Sequence, residues 1–159
     1  MARIELAHEV AAPAPRCFDL ARSVRAHLHS TTSTGERVIL APPSGLLQLG
    51  DEVTWEARHL GVRQRLTSRI TEYDRPGHFR DVMVRGVFRR FAHDHYFEPT
   101  PRGTMVRDVI EYRAPLGPLG RLAETLFLTR YLRRFLGLRN RALQDLAQSD
   151  RWREFVPAQ

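Results

Sequence analysis

Between Asp51 and Tyr112 apolar and polar residues alternate with a period of two, and turn-forming residues break the alternation at short intervals. This pattern constrains the fold most, because successive strand side chains point to opposite faces whereas helical ones recur every 3.6 residues. Val53, Trp55, Ala57 and His59 alternate with Glu52, Thr54, Glu56 and Arg58. Val62, Leu66 and Ile70 then alternate with Arg63, Arg65 and Arg69. Further strands are predicted over about 78–84, 87–98 and 104–113, separated by Pro76-Gly77, Gly86 and the stretch Pro99 to Gly103. Upstream, Arg3 to Val10 predicts a first strand, and Arg16 to Ser30 carries helical spacing through Cys17, Leu20, Ala21, Val24 and Leu28. Gly35 to Ala41 predicts another strand. After Gly120, residues such as Leu122, Leu126, Tyr131, Phe135, Ala142 and Leu146 mark the apolar face of one long helix. The expected class is α+β, an antiparallel meander followed by a terminal helix.

Hairpin geometry predicts which side chains face each other. A two-residue turn at Leu60-Gly61 pairs His59 with Val62, Ala57 with Gln64, Trp55 with Leu66 and Val53 with Ser68. It also sets Glu56 opposite Arg65 and Glu52 opposite Arg69, both favourable cross-strand pairs. A three-residue loop at Val84-Arg85-Gly86 predicts Phe79 opposite Phe91, Met83 opposite Val87 and Asp81 opposite Arg89. For the last hairpin, charge favours Phe97 opposite Thr104, which brings Asp94 to Arg107, Arg90 to Glu111 and His93 to Asp108. Phe91 then faces Ile110, and Arg89 faces Tyr112. The inner face so defined is largely apolar: Trp55, Leu66, Phe79, Met83, Phe91, Phe97 and Ile110. It also carries His59, Gln64, Asp81, Arg89, His93, His95, Asp108 and Tyr112. Buried polar groups need partners, so this many points to a cavity with convergent polar groups rather than a tight core.

Composition narrows the function classes. All 25 basic side chains are arginine and 18 are acidic, for a formal charge of +7, while 42 % of the 159 residues are hydrophobic. That content excludes charge-driven disorder. The length predicts one domain over 1–150, with 151–159 as a C-terminal tail. No apolar run reaches the roughly 18 residues needed to span a bilayer, and the N-terminus has no secretory pattern, so a cytoplasmic location is expected. One cysteine leaves no disulfide and no cysteine-rich zinc site. Nucleic-acid binding has charge behind it but no motif.

Three stretches together with the entry to the last helix resemble a known family. They are Gly50-Asp-Glu-Val-Thr-Trp-Glu-Ala-Arg-His59, Arg90-Phe-Ala-His-Asp-His-Tyr-Phe-Glu98 and Asp108-Val-Ile-Glu-Tyr112, with Ala114-Pro-Leu-Gly-Pro-Leu-Gly-Arg-Leu-Ala123 as the entry. They resemble the START-like, helix-grip superfamily and its bacterial polyketide cyclase/dehydrase-like branch, over nearly the whole chain. The resemblance implies a curved antiparallel sheet of about six or seven strands gripping a long C-terminal helix, two short helices after the first strand, and an apolar cavity between. It does not imply one chemistry, because the fold hosts carriers and enzymes alike.

The leading expectation is therefore a carrier or sensor of a hydrophobic or amphipathic, lipid- or polyketide-like molecule, with no cofactor and no metal. Its candidate ligand contacts are Trp55, His59, Gln64, Phe79, Asp81, Met83, Arg89, Phe91, His93, His95, Ile110 and Tyr112. The alternative is a cyclase or dehydratase in which His93 acts as general base, oriented by Asp108, with Tyr112 or Arg89 polarising a carbonyl. Asp81 and Arg89 read either as an internal ion pair or as an anchor, in Arg89, for a ligand carboxylate. His93-x-His95 with Asp108 also has the composition of a two-histidine, one-carboxylate metal face, without readable supporting residues. A third alternative is an interaction module. Arg130, Arg133 and Arg134 interrupt the apolar helix, a pattern compatible with docking on a partner or an anionic membrane.

Overall fold

A computed structural model describes residues 1–157 of the chain; positions 158–159 of the expected tail lie outside the described residues. Seven strands form one sheet in the order β1-β7-β6-β5-β4-β3-β2, with every neighbouring pair antiparallel. They are β1 (Ala2–Val10), β2 (Arg37–Leu40), β3 (Glu52–His59), β4 (Val62–Asp74), β5 (His78–Arg85), β6 (Arg90–Thr100) and β7 (Gly103–Arg113). Helices α1 (Ala14–Ala21) and α2 (Val24–Ser30) follow β1. Proline in the first turn starts α1, where a missing N–H costs nothing. The Ser23 hydroxyl starts α2 by accepting the Ala26 N–H at 3.2 Å.

The terminal helix runs from α3 (Gly117–Ala123) through one π-helical turn (Glu124–Leu128) into α4 (Thr129–Ala147). Helix α4 packs on β1, α1 and α2. This is the helix-grip arrangement of the α+β class. Two apolar clusters anchor it. One gathers Phe18, Val53, Ile70, Phe79, Phe97 and Leu146, and the other Ile4, Ile110, Tyr112 and Leu136. Phe18 is wholly buried and meets Tyr73, Phe79 and Phe97 edge-on at 5.2–5.4 Å. Of the expected tail, Phe155 and Val156 are buried in the first cluster, and the Phe155 carbonyl accepts the Ser23 hydroxyl at 2.7 Å.

The first long hairpin has the predicted register throughout, from His59–Val62 to Glu52–Arg69. Leu60 and Gly61 both have positive φ, at 52° and 78°, as a tight hairpin turn with matching twist requires. On the outer face Arg65 donates to Glu56 at 2.7 Å and Arg69 to Glu52 at 3.0 Å.

The next two hairpins differ from expectation. Strand β5 pairs Asp81 with His93 and Phe79 with His95, so neither Asp81–Arg89, Phe79–Phe91 nor Met83–Val87 forms. The connection is longer than three residues: the chain leaves the ladder between Arg85 and Arg90, and Arg89 is exposed. Burying that guanidinium inside would cost far more than the tighter loop returns. The last hairpin turns on Pro101-Arg102, pairing Phe97 with Val106, His95 with Asp108, His93 with Ile110 and Phe91 with Tyr112. That register sets Arg90 opposite Arg113, both exposed, where water screens the repulsion. Asp94 takes His78 at 2.9 Å instead of Arg107, and Glu111 takes Arg3 at 3.5 Å instead of Arg90. Surface pairs worth a few tenths of a kcal/mol gave way to a register that brings His95 as well as His93 to Asp108.

Candidate functional site: a cavity with a polar floor

The concave side of the sheet is not filled by the long helix. A cavity of about 410 Å³ lies between them, within the range that holds small organic ligands. Inner positions of β3 and β4 give Trp55, Ala57, Leu66 and Ile70, while the π-helical turn and α4 add residues such as Phe127, Leu132 and Phe135. Most of the wall is apolar because alternate strand residues and one helical face turn inward together.

Eight of the twelve sequence-nominated contacts line this space: Trp55, His59, Gln64, Phe79, Asp81, Phe91, His93 and His95. Four do not. Arg89 points to solvent, Met83 is half-buried beside Gly86, and Ile110 and Tyr112 are wholly buried in the second cluster. The Tyr112 hydroxyl is engaged with Thr129 at 2.6 Å, away from the cavity. Residues that sequence reasoning missed are His27, Glu36, Tyr131 and Arg139. Arg139 had one readable signal: it follows Phe135 by four and precedes Ala142 by three, on the apolar stripe. Glu36 had none, since only the fold brings it to His27.

The floor is a closed network of charged groups. His93 Nε2 lies 2.7 Å from Asp108 Oδ1, and His95 Nδ1 lies 3.1 Å from the same oxygen. His95 Nε2 meets Asp81 at 3.0 Å. Asn140 donates to the other Asp108 oxygen at 2.7 Å, and the Arg139 guanidinium stands 4.0 Å from Oδ1. The two imidazoles stack at 3.7 Å. Adjacent strand positions on β5, β6 and β7 supply these groups, and α4 closes the network from above.

Electrostatics separates the two histidines. Burial, reinforced by the charge of His95, pushes His93 below the ordinary histidine value despite Asp108. Burial also opposes charge on His95, but the hydrogen bonds to Asp108 and Asp81 prevail and raise it. Burial works against the Asp108 carboxylate too, yet both histidines hold it well below the usual range. So His95, with a carboxylate at each ring nitrogen, is the imidazole whose protonated form is favoured, and His93 the one whose neutral form is favoured.

A second polar group guards the wall near the first hairpin turn. His59 Nδ1 lies 2.7 Å from the Tyr131 hydroxyl, tying β3 to α4. His27 stacks on Trp55 at 4.0 Å and bonds Glu36 at 2.8 Å, fixing the indole against the wall.

Asp81, His93 and His95 each bring one ligand-type atom within 4.8 Å of the others, which is the spacing a cation could use. Asp108, which sequence reasoning put in that set, instead bonds both imidazoles from behind. Both nitrogens of His95 are already taken by carboxylates, so a metal ion would have to displace a proton that balances the cluster.

Residues 1–149 match a family model described as polyketide cyclase / dehydrase and lipid transport. No protein with a curated description matches the sequence. Among solved structures, TTHA0849 from Thermus thermophilus superposes with a TM-score of 0.73 at 18 % identity, covering 91 % of this chain and 95 % of that one. CV1439 from Chromobacterium violaceum gives 0.69 at 16 % identity, with 93 % and 98 % covered. A major latex-like protein from Panax ginseng gives 0.67 at 14 %, with 93 % and 98 % covered. At such identities the likeness is one of fold. No described helix is long and apolar enough to cross a membrane.

Proposed function

The chain belongs to the polyketide cyclase/dehydrase and lipid transport family, and on that premise we propose that it binds a hydrophobic or amphipathic small molecule and acts as its carrier or sensor. One observation carries the reading: sheet and helix enclose about 410 Å³ of largely apolar space, which a protein folded only for stability would fill. The polar floor suits the oxygenated end of an amphipathic molecule. The floor's charged groups are satisfied by one another, which favours binding over chemistry.

Trp55 offers a direct test, since it lines the cavity while the other tryptophan, Trp152, lies on the C-terminal turn. Titrating medium-chain fatty acids and aromatic polyketide analogues into Trp152→Phe should give a saturable change in Trp55 emission. Ala57→Phe, which grows into the cavity, should abolish it. An emission that responds to neither class of compound, or equally in the filled variant, would remove the reading.

A second reading has a specific observation behind it. His93 lines the cavity, has its neutral form favoured by burial, and is oriented by Asp108 at 2.7 Å, which are the attributes of a general base in a cyclisation or dehydration. In that case His93→Ala should abolish turnover while leaving the Trp55 titration within about threefold, since proton transfer contributes roughly 10²–10⁴ to rate and little to binding. Turnover that survives His93→Ala would exclude it.

A further inference from the structure

The rim of the cavity is apolar where a water-facing rim is expected to be polar. Leu116, Leu119, Leu122, Leu126 and Phe127 are 77, 69, 55, 64 and 49 % exposed, all on α3 and the turns at its two ends. Leu60 and Val87 face them from the sheet side at 54 and 42 % exposed. Of these, Leu60, Val87, Leu116, Leu119 and Phe127 also line the cavity, so the patch surrounds its opening. Exposed apolar patches that are contiguous mark interaction surfaces, whereas scattered ones mean nothing.

Backbone geometry singles out the same place. Among the described residues only two other than glycine have positive φ: Leu60 at 52° and Leu116 at 68°. Left-handed backbone is costly for a branched side chain. Both leucines stand at the opening with exposed side chains, Leu60 in the tight first hairpin turn and Leu116 at the start of α3.

Charge identifies the occupant. From Arg113 to Arg141 the exposed charges are all arginines. The single carboxylate in that stretch, Glu124, is buried and turned inward to accept the Ala114 N–H at 2.5 Å. Arg113, Arg121, Arg130 and Arg134 make no ion pair among the described residues, and exposed Arg85, Arg89 and Arg90 flank Val87. A second copy on a two-fold axis would bring the same arginines face to face. An anionic bilayer meets both halves of the pattern, taking the leucines among its acyl chains and the guanidiniums among its headgroups.

We propose that the cavity mouth docks on an anionic lipid surface, so that the opening faces the bilayer from which an apolar ligand would enter or leave. This docking rests on the carrier reading for its purpose, but its chemistry can be tested separately. Leu122 and Leu126 are exposed and do not line the cavity, which makes them suitable probes.

Flotation of the full chain with phosphatidylcholine vesicles, with and without about a third phosphatidylglycerol, tests the proposal. The expected result is binding to the anionic vesicles only, weakened by salt, and reduced about fivefold for each of Arg121→Gln and Arg130→Gln. Leu122→Glu with Leu126→Glu should remove vesicle binding while leaving the melting temperature and the Trp55 titration unchanged. Equal binding to neutral and anionic vesicles, no binding to either, or undiminished binding by the glutamate variant would each overturn it. A dimer broken by the same glutamates, without vesicle binding, would overturn it in favour of a second copy. Vesicle binding without any cavity ligand would uphold docking and reject the carrier reading, and the converse would do the opposite.

Discussion

Asp108 holds the cavity floor together, because three neighbours depend on one buried carboxylate. It is 2 % exposed and contacts His93, His95 and Asn140. Removing it leaves His95 as a buried cation with Asp81 alone. Asp108→Ala should therefore cost about 3–5 kcal/mol in urea unfolding, and Asn140→Ala about 1–2 kcal/mol. A loss below 1 kcal/mol for Asp108→Ala would mean that the network is not formed. The same cluster sets a pH dependence. The folded-state value of His95 is raised, so its stabilising contribution is complete below about 6.5 and is lost as pH rises through the raised value. The stability advantage of the wild-type chain over His95→Gln should thus shrink as pH rises above about 6.5; an advantage that grows would contradict the raised value of His95. His93 and Asp108 were legible as a pair from the sequence. Their contact survives a register different from the predicted one because neighbouring strands let the imidazole reach diagonally. Arg89 shows the limit of that legibility. Its inward position followed from assuming a short loop, and nothing in the local sequence reveals that the chain leaves the ladder after Arg85.

At the scale of elements, hairpins with a tight turn could be read and hairpins with longer or proline-containing loops could not. Leu60-Gly61 has one geometry available, and side-chain charges on Glu52, Glu56, Arg65 and Arg69 agree with it. At the last hairpin the outer charges favoured one register, but the chain takes the one shifted by two, in which His95 stands opposite Asp108. Two glycines give contrasting expectations. Gly103 has φ of 151°, and a Cβ there would meet the Val10 carbonyl at 2.0 Å, so β1 must approach β7 over bare backbone. Gly103→Ala should destabilise by more than about 2 kcal/mol. Gly137 sits within α4 with nothing within 4 Å of a Cβ. Gly137→Ala should stabilise by about 0.5–1 kcal/mol, since it removes unfolded-state freedom and favours helix. Thermal unfolding of both variants checks the pair, and equal shifts would show that the backbone approach at Gly103 is misjudged. Tyr131 forms the bolt between α4 and the first hairpin, and Tyr131→Phe should cost about 1 kcal/mol by freeing His59.

For the molecule as a whole, period-two patterning and one long apolar helix sufficed to place it in the α+β class, while the helix closing the sheet was what the family resemblance implied. The volume left between them was not legible, since it depends on how far α3 and α4 stand from the inner strand positions. The +7 charge was legible in part, as outer-sheet arginine–glutamate pairs and a basic terminal helix. Part of it is neutralised on the outer sheet, where Arg37 and Arg65 hold Glu56 down to about 2. The unpaired remainder includes the arginines around the cavity opening rather than a nucleic-acid-like stripe. On the carrier reading, this cavity holds an apolar or amphipathic molecule. Native mass spectrometry of the chain purified from its own host, beside Ala57→Phe prepared in the same way, tests it most directly. The expected result is a small organic molecule carried by the wild-type chain and missing from a folded Ala57→Phe; bare protein in both, or equal loading of the two, would rule out the cavity as its binding site.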